Sequence, residues 1–535
     1  MIPSVLARQL QRGIEDYFRT TYPFANEPFK SSFDAFAAGG KGLYLEPFTA
    51  IRLPFRTATT MPDCFEAVRP KFLPYVHQER AWRRLVGEDG QSTVIATGTG
   101  SGKTECFLYP ILEYCYQHRA TRGVKALIIY PMNALASDQA GRVAKLIWDN
   151  PDLKGNVSVG LYVGGLDKGK GSPVMGPDTV ITDRETMQNN PPDILLTNYK
   201  MLDYLLIRPD YTHIWKADAY VSPLKYVAVD EIHTFDGAQG TDLACLLRRL
   251  KTRLRIPQGS LCCIGTSATM GDAGEASRKG MLSYAQNVFG EPFDEGAVIG
   301  EDRLTVDEFL GGIEPEDDPV MSEAQCVELE RLVTANDVQG YLQAALGDLV
   351  DSMRGSNASD DETRQRLGAA LKSNTLFCDL IEAVGGSFFQ PSEIVERLVD
   401  RHAWLSDIER PETVIDALVA LVSHARAEGS RPFLTVQTQL WTRELTRLLG
   451  EVKGDETRFE LAINLKQDER KHFLPLHNCR DCGQTAWISL IDHDMDLKPE
   501  SLDAFYNSYF GSGEDIVSLY PRSIDDPRPE SLRVG

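Results

Sequence analysis

Hydrophobic spacing divides the 535-residue chain before any motif is considered. Near the start, Leu6, Leu10, Ile14 and Phe18 recur every four residues, the spacing of one buried helical stripe, and residues 43–55 read as extended and apolar. From about residue 71 the pattern changes to short continuous apolar runs, several of them leading into a helical periodicity. Residues 94–96 precede a helix from Lys103 to about His118, and 125–130 precede a helix opening at Met132. Further runs lie at 157–163, 194–196 and 225–229. Strands of a parallel sheet covered by helices on both faces need such uninterrupted runs, so residues 71–300 are predicted to be α/β with a parallel sheet. Residues 301–450 then show apolar positions at helical spacing and few strands, which predicts a helical insertion. Within it, 376–384, a Gly385-Gly386 break and 391–399 fit either a helix-turn-helix (winged-helix) unit or two ordinary packed helices. Residues 1–70 are expected to be a small α/β accessory region bracing the α/β domain, and 451–535 a mixed segment.

Length alone suggests roughly three domains. The apolar share of 42% and charged share of 25% are those of a globular protein. The net charge of −21 argues against a nucleic-acid partner until its distribution is considered. Residues 301–370 hold 17 acidic and 5 basic side chains, so much of the excess is local, and a groove of amides and a few cations elsewhere could still track phosphates. Acidic, glycine- and serine-containing stretches at 314–318 and 350–362 read as exposed linkers. The ten cysteines are mostly scattered singly, which suits a reducing cytoplasm better than a disulfide framework. No run of 18 apolar residues occurs and the N-terminus lacks an export pattern, so a cytoplasmic protein without a membrane partner is expected.

Chemistry concentrates where the apolar runs end. After 94–96 stands Thr97-Gly-Thr-Gly-Ser-Gly-Lys-Thr-Glu105, a glycine-rich turn entering a helix. Gly98, Gly100 and Gly102 free the backbone to curl, so that successive N–H groups at the helix start can face phosphate oxygens. Thr99, Gly100, Ser101, Gly102, Lys103, Thr104 and Glu105 are the candidate ATP-binding residues, with Lys103 on the β and γ phosphates and the Thr104 hydroxyl on Mg²⁺. The strict pattern GxxxxGK[ST] fails at its first position, which is Thr97. Upstream, Gln78 resembles the glutamine of a Q motif, which implies that its amide reads an adenine edge with one donor and one acceptor, with Tyr75 as a stacking neighbour. Downstream, the run 225–229 ends in Asp230-Glu-Ile-His233. Two adjacent carboxylates at a strand end resemble a Walker B motif, which implies that Asp230 is the Mg²⁺ ligand, Glu231 the group that orients and deprotonates water, and His233 a sensor of Ser267, Ala268 and Thr269 at the end of the next strand. Pro131, Asn133 and Gln139, at another strand end and in the helix it opens, resemble a helicase motif Ia, which implies contact with a nucleic-acid backbone, and Gly164, Gly165, Thr197 and Asn198 at two further strand ends fit more such contacts. Cys479 and Cys482, with Gly483 directly after them, have the spacing of one zinc knuckle, and His477 is a candidate further ligand. No second cysteine pair completes it, and bound zinc and a reduced, empty pair remain alternatives.

Together, YVHQERAW, TGTGSGKTE, YPMNALASDQ, LLTNYKML, VDEIH and TSAT resemble the Q motif, motifs I, Ia, II and III and their neighbours in the first RecA-like domain of large superfamily 2 DNA helicases. TGTGSGKT in particular is similar to their motif I, which carries a small residue where Thr97 stands. The resemblance is to the MrfA- and Lhr-like kind, and nearest in character to the helicases of the anti-phage systems Druantia and DISARM. It covers about residues 70–290. It implies ATP and Mg²⁺ as cofactors, single-stranded or junction DNA as partner, and a role in anti-phage defence or DNA repair. It also implies a second RecA-like domain whose arginines complete the ATP site. Residues 290–535 contain no QxxGRxGR-type segment, so the chain is expected to be the N-terminal portion of a longer motor or one half of a split one. The competing expectation is a nucleotide-gated DNA-binding scaffold that recruits an effector without unwinding.

Overall fold

The computed structural model describes residues 2–21, 23–38, 43, 44, 47–98, 100–165, 171–215, 222–268, 274–315, 320–357, 360–443, 447–453, 457–479, 481–491, 497, 502–511 and 515–520. Packing divides the chain into two units, residues 55–304 and residues 1–54 with 305–535.

Residues 55–304 are built on a seven-stranded sheet. In chain order its strands are β1 (Thr93–Ala96), β2 (Ala126–Tyr130), β3 (Val159–Tyr162), β4 (Ile194–Asn198), β5 (Tyr226–Val229), β6 (Cys262–Ser267) and β7 (Val298–Gly300). The spatial order is β3-β4-β2-β5-β6-β1-β7 and every pairing is parallel. The predicted apolar runs are therefore strands, and alternation within them feeds two cores. Ile95, Ile128, Leu196, Ala228 and Ile264 face one side, and Val94, Leu127, Leu195, Val227 and Cys263 face the other. Helices α1 (Val76–Leu85), α2 (Lys103–Gln117) and α3 (Asn133–Trp148) cover the first side. The second is covered by Tyr199–Ile207, Gly237–Leu254 and Glu275–Phe289. This is the doubly covered parallel sheet expected of a RecA-like fold, and it puts the C-terminal ends of β1, β2, β4, β5 and β6 along one rim, where open α/β sheets hold ligands.

The unit begins at Phe55, earlier than the boundary at residue 71 read from the sequence. The reason is a buried carboxylate: Glu113 of α2 accepts N–H groups from Glu66, Ala67 and Val68 at 2.9, 3.0 and 3.0 Å, strapping the preceding segment to the helix. At its other end, Arg56 bonds Asp302 at 2.8 Å, so the unit closes at Leu304.

In the other unit, helices Pro3–Thr21 and Glu27–Ala38 and strand Phe48–Arg52 assemble with residues far along the chain. Phe48–Arg52 pairs antiparallel with Thr435–Gln439, so residues 1–54 share a core with 305–535. The expected helical insertion consists of helices including Glu323–Thr334, Val338–Leu349, Asp361–Lys372, Thr375–Val384, Pro391–Leu398 and Glu412–His424. Gly385 and Gly386, at φ +53° and +81°, turn the chain between Thr375–Val384 and Pro391–Leu398, whose Leu380, Ile381, Ile394 and Leu398 are buried. Five antiparallel strands come next, in the spatial order Phe459–Leu461, Leu448–Glu451, Phe473–Asn478, Thr485–Leu490, Ile516–Leu519. Among the described residues, 305–535 hold no parallel sheet. No helix among the described residues is long and apolar enough to cross a membrane.

Candidate nucleotide site

The glycine-rich turn leaves β1 at Ala96, whose register partner on β6 is Ser267, so the two expected motifs meet at the sheet rim. Gly100 and Gly102 take φ +81° and +74°, the left-handed region that favours glycine. Gly102 is the N-cap of α2, and no side chain caps that helix among the described residues. Its first N–H groups therefore lack the intrahelical partners that other helices replace with a cap, and an anion at this end would satisfy them. Thr97, which breaks the strict P-loop pattern, has a structural task here: its buried hydroxyl lies 2.7 Å from that of Ser101 and pins the turn from inside. Ser101 is itself buried. Thr104 occupies the second position of α2. Glu105 is ion-paired at 2.9 Å with Arg142 of α3. Thr99 and Thr269 lie outside the described residues.

Two carboxylates close the site from β5. Lys103 Nζ lies 3.0 Å from Glu231 Oε1, with both side chains largely shielded from solvent. Glu231 holds φ +49°, strained for a residue with a side chain, and is fixed on several sides. Its N–H donates to Thr266 Oγ1 at 2.9 Å, and its Oε2 accepts the Ala268 N–H at 3.2 Å. The same oxygen lies 3.4 Å from His233 Nδ1, which is 3.2 Å from Ser267 Oγ. The structure thus joins Lys103, Glu231, His233, Ser267 and Ala268 in one network. Asp230 accepts a hydrogen bond from the Thr266 hydroxyl, while burial pushes its carboxyl above the ordinary aspartate range against that bond's pull. A divalent cation at this carboxylate would reverse the push. No group of three His, Cys, Asp or Glu side chains able to hold a metal occurs among the described residues. Mg²⁺ at nucleotide sites is characteristically held by one or two protein groups plus phosphates and water, and Asp230 with Thr104 fits that habit.

Thr266 was legible in the TSAT motif but its role was not, because only the β5–β6 pairing puts its hydroxyl on both Asp230 and Glu231. Helix α1 brings a second group that the sequence did not single out. His77 Nε2 lies 2.8 Å from the Ser101 carbonyl, and Trp82 Nε1 donates to the Glu105 carbonyl at 3.0 Å. Gln78, read as an adenine contact, accepts the Tyr75 N–H at 2.9 Å and donates to the Gly102 carbonyl at 3.3 Å, so its amide holds the turn as the site stands. Tyr75 stacks on His77 at 5.5 Å and packs on Phe55 at 5.1 Å. Glu301, some 200 residues away in sequence, accepts the Gly98 N–H. Only tertiary structure could reveal that contact.

The candidate nucleic-acid residues divide. Asn133 donates to the Gly164 carbonyl at 3.4 Å and accepts from Asn198, so these three form one exposed cluster at the ends of β2, β3 and β4. Pro131 precedes it, and Gly165 turns at φ +85° with open space where a side chain would stand. Thr197 and Gln139 differ from the expectation. Thr197 is fully buried and its hydroxyl donates to the Tyr162 carbonyl at 2.6 Å, because strand alternation turns it into the sheet. Gln139 is buried on the inner face of α3, with Arg142 donating to it at 3.3 Å.

In the other unit, Cys479 and Cys482 sit on the turn between strands Phe473–Asn478 and Thr485–Leu490 and are unbonded thiols. Gly483, at φ +70°, donates to the Cys479 carbonyl at 2.8 Å and closes the turn. Hydrogen bonds from the Cys482 and then the Asp481 backbone hold the Cys479 thiol below its ordinary range. His477 instead approaches the Tyr509 hydroxyl at 3.4 Å and does not form a three-ligand group with the cysteines.

Comparison with known proteins agrees with this geometry. Residues 75–276 match the family described as DEAD/DEAH box helicase. The chain is 30% identical to Druantia protein DruE of Escherichia coli (strain UMEA 4076-1), over 41% of this chain and 17% of that protein. It is 31% identical to the uncharacterized ATP-dependent helicase YprA of Bacillus subtilis (strain 168), over 38% of this chain and 23% of that protein. The aligned part is therefore less than a quarter of either relative. Among solved structures, that of the DUF1998 helicase MrfA bound to DNA and AMPPNP is 19% identical, with a TM-score of 0.37 over 64% of this chain and 47% of that one. The glycine turn with its uncapped helix start and the acidic pair with its threonine bridge all lie within residues 75–276, the stretch that matches the DEAD/DEAH box helicase family.

Proposed function

We propose that residues 55–304 are the ATP-binding half of a DNA helicase or translocase working in anti-phage defence or DNA repair, with catalysis completed by arginines of a second RecA-like domain. The observation that carries the reading is the Lys103–Glu231 pair at 3.0 Å beside an uncapped helix N-terminus. Lys103 would exchange that carboxylate for the β and γ phosphates, freeing Glu231 to orient a water and take its proton. Asp230 and Thr104 would hold Mg²⁺, which supplies charge neutralisation on the transferring phosphoryl group. Tyr75, and Gln78 on release from Gly102, would face the adenine. His233, Ser267 and Ala268 would pass the state of Glu231 to the strand end beside it. The cluster of Asn133, Gly164 and Asn198, with Pro131 and Gly165, offers neutral donors and bare backbone, which favours sequence-independent contact with a sugar-phosphate chain.

The direct test is nucleotide-induced thermal stabilisation with Mg·ADP and Mg·ATP. Lys103→Ala should abolish the stabilisation while leaving the ligand-free melting temperature within about 2 °C. A variant that still binds would sink the assignment. Competition between single-stranded DNA and RNA of one sequence distinguishes the partner, and equal or stronger RNA binding would remove DNA from the reading.

The cysteine turn supports a second, smaller reading. Backbone N–H groups already directed at Cys479 are what a thiolate ligand requires, and we infer that Cys479 and Cys482 are two of the four donors of a zinc site completed by another segment.

A further inference from the structure

Helix α1 holds the glycine-rich turn through three side chains. His77, Gln78 and Trp82 reach the carbonyls of Ser101, Gly102 and Glu105 at 2.8, 3.3 and 3.0 Å. Contact is close enough that a Cβ on Gly102 would come within 2.3 Å of Gln78 Nε2. Of the three, His77 is the least explained by packing. It is fully buried, stacked on Tyr75 at 5.5 Å and edge-on to Phe55 at 5.3 Å, a setting in which an apolar residue would serve as well. Its Nδ1 is buried and has no hydrogen-bond partner among the described residues. A buried polar atom left unpaired is unfavourable, so the imidazole is retained for what its other nitrogen does. Facing a carbonyl, Nε2 must carry the proton, which fixes the tautomer with Nδ1 bare. Burial, opposed by the Ser101 bond, pushes the ring's pKa down and keeps it neutral.

We propose that His77 is a positioning residue for nucleotide binding: its Nε2–H holds the Ser101 carbonyl away from the anion site, so that the amides beyond it face the phosphates, and it ties that orientation to the Tyr75–Phe55 aromatic pair. A peptide unit is planar, so fixing the Ser101 carbonyl on one side fixes the Gly102 N–H on the other. Thr97 holds Ser101 through its hydroxyl, and His77 holds it through its carbonyl. Without the second restraint the peptide can rotate and present an oxygen, where an anion needs a donor. This inference rests on the nucleotide site proposed above.

The experiment is a titration of the full chain with a fluorescent ADP analogue and Mg²⁺, alongside ligand-free thermal melts. Three variants separate donor from bulk: His77→Gln keeps a donor at the ε position, His77→Asn has one too short to reach, and His77→Met keeps the volume with no donor. The Gln variant should bind within about 2-fold of the parent, and the Met and Asn variants about 5- to 10-fold more weakly, the loss of one oriented hydrogen bond. The Met variant, suited to the aromatic pocket, should melt at or above the parent temperature, so its weaker binding cannot be ascribed to unfolding. Equal affinity in Gln and Met variants, whether both retained or both lost, would overturn the proposal. If the parent chain fails to bind while folded, the nucleotide site itself falls and the role of His77 with it. Binding by the parent that Lys103→Ala removes but His77→Met leaves intact overturns only the positioning role.

Discussion

The two units of this chain are marked in the sequence to very different degrees. In residues 55–304 the candidate chemistry stands at strand ends that short apolar runs mark in the sequence, even though β1 pairs with the distant β6 and β7. Residues 1–54 and 305–535 form one core from segments hundreds of positions apart. Ser4 donates to Asp416 through N–H at 2.9 Å and hydroxyl at 2.6 Å, Thr49 N–H to the Phe389 carbonyl at 2.8 Å, and Ala25 N–H to the Gly483 carbonyl at 2.8 Å. The first arrangement leaves a readable sequence because function is placed at the end of each βα step, whereas the second leaves only helical stripes, because packing partners carry no marker of one another. Contacts of that range also tend to form late, since their loop closure must precede their reward.

The contrast predicts that chemistry and stability respond to different substitutions. The largest effect belongs to Glu231→Gln, which keeps the side chain's shape and one acceptor, for Lys103 or for Ala268, but removes the base. In the proposed motor, hydrolysis should fall about 10²- to 10⁴-fold with nucleotide affinity retained, as read by steady-state ATPase and nucleotide titration. A loss of both would mean the glutamate acts through the fold. Next is Glu113→Ala, which leaves three backbone N–H groups without acceptors and should destabilise residues 55–304 by about 3 kcal/mol in urea unfolding. A shift below about 0.5 kcal/mol would show that solvent replaces the strap. Asp416→Ala removes the acceptor for Ser4 and for the Tyr341 hydroxyl, which donates at 2.8 Å. It should cost the other unit about 2 kcal/mol and leave nucleotide affinity unchanged. Loss of affinity there would mean the two regions are energetically linked. The smallest effect is chemical: Cys479, with its thiol pKa lowered by backbone donors, should alkylate several-fold faster near neutral pH than Cys64, whose thiol is raised by burial. Zinc added beforehand should protect Cys479, and unaltered reactivity with zinc would remove the metal reading.

Much of the site was legible because its chemistry is local. Lys103, Thr104, Asp230 and Glu231 stand where an apolar run ends, and the run predicts the strand whose end presents them. The acidic bundle's helices were likewise readable from spacing. The burial of Thr197 and Gln139 was not legible for one reason: their chemical type suits a polymer backbone, but the face each presents depends on strand alternation at β4 and on how α3 lies on the sheet. His77, Thr266 and Glu301 escaped because their partners are carbonyls, amides or carboxylates in other elements, and a sequence records no backbone partner.

Short-range periodicity and adjacent residue types suffice for the α/β class of residues 71–300, the glycine turn and the acidic pair, so these were settled by the amino-acid order. Packing was needed to join residues 1–54 with 305–535, to pair Lys103 with Glu231 across 128 positions, and to hold Ser101 from α1. Those outcomes depend on which faces meet when apolar surface is buried, and burial is non-directional until the packed elements fix which polar groups must find each other.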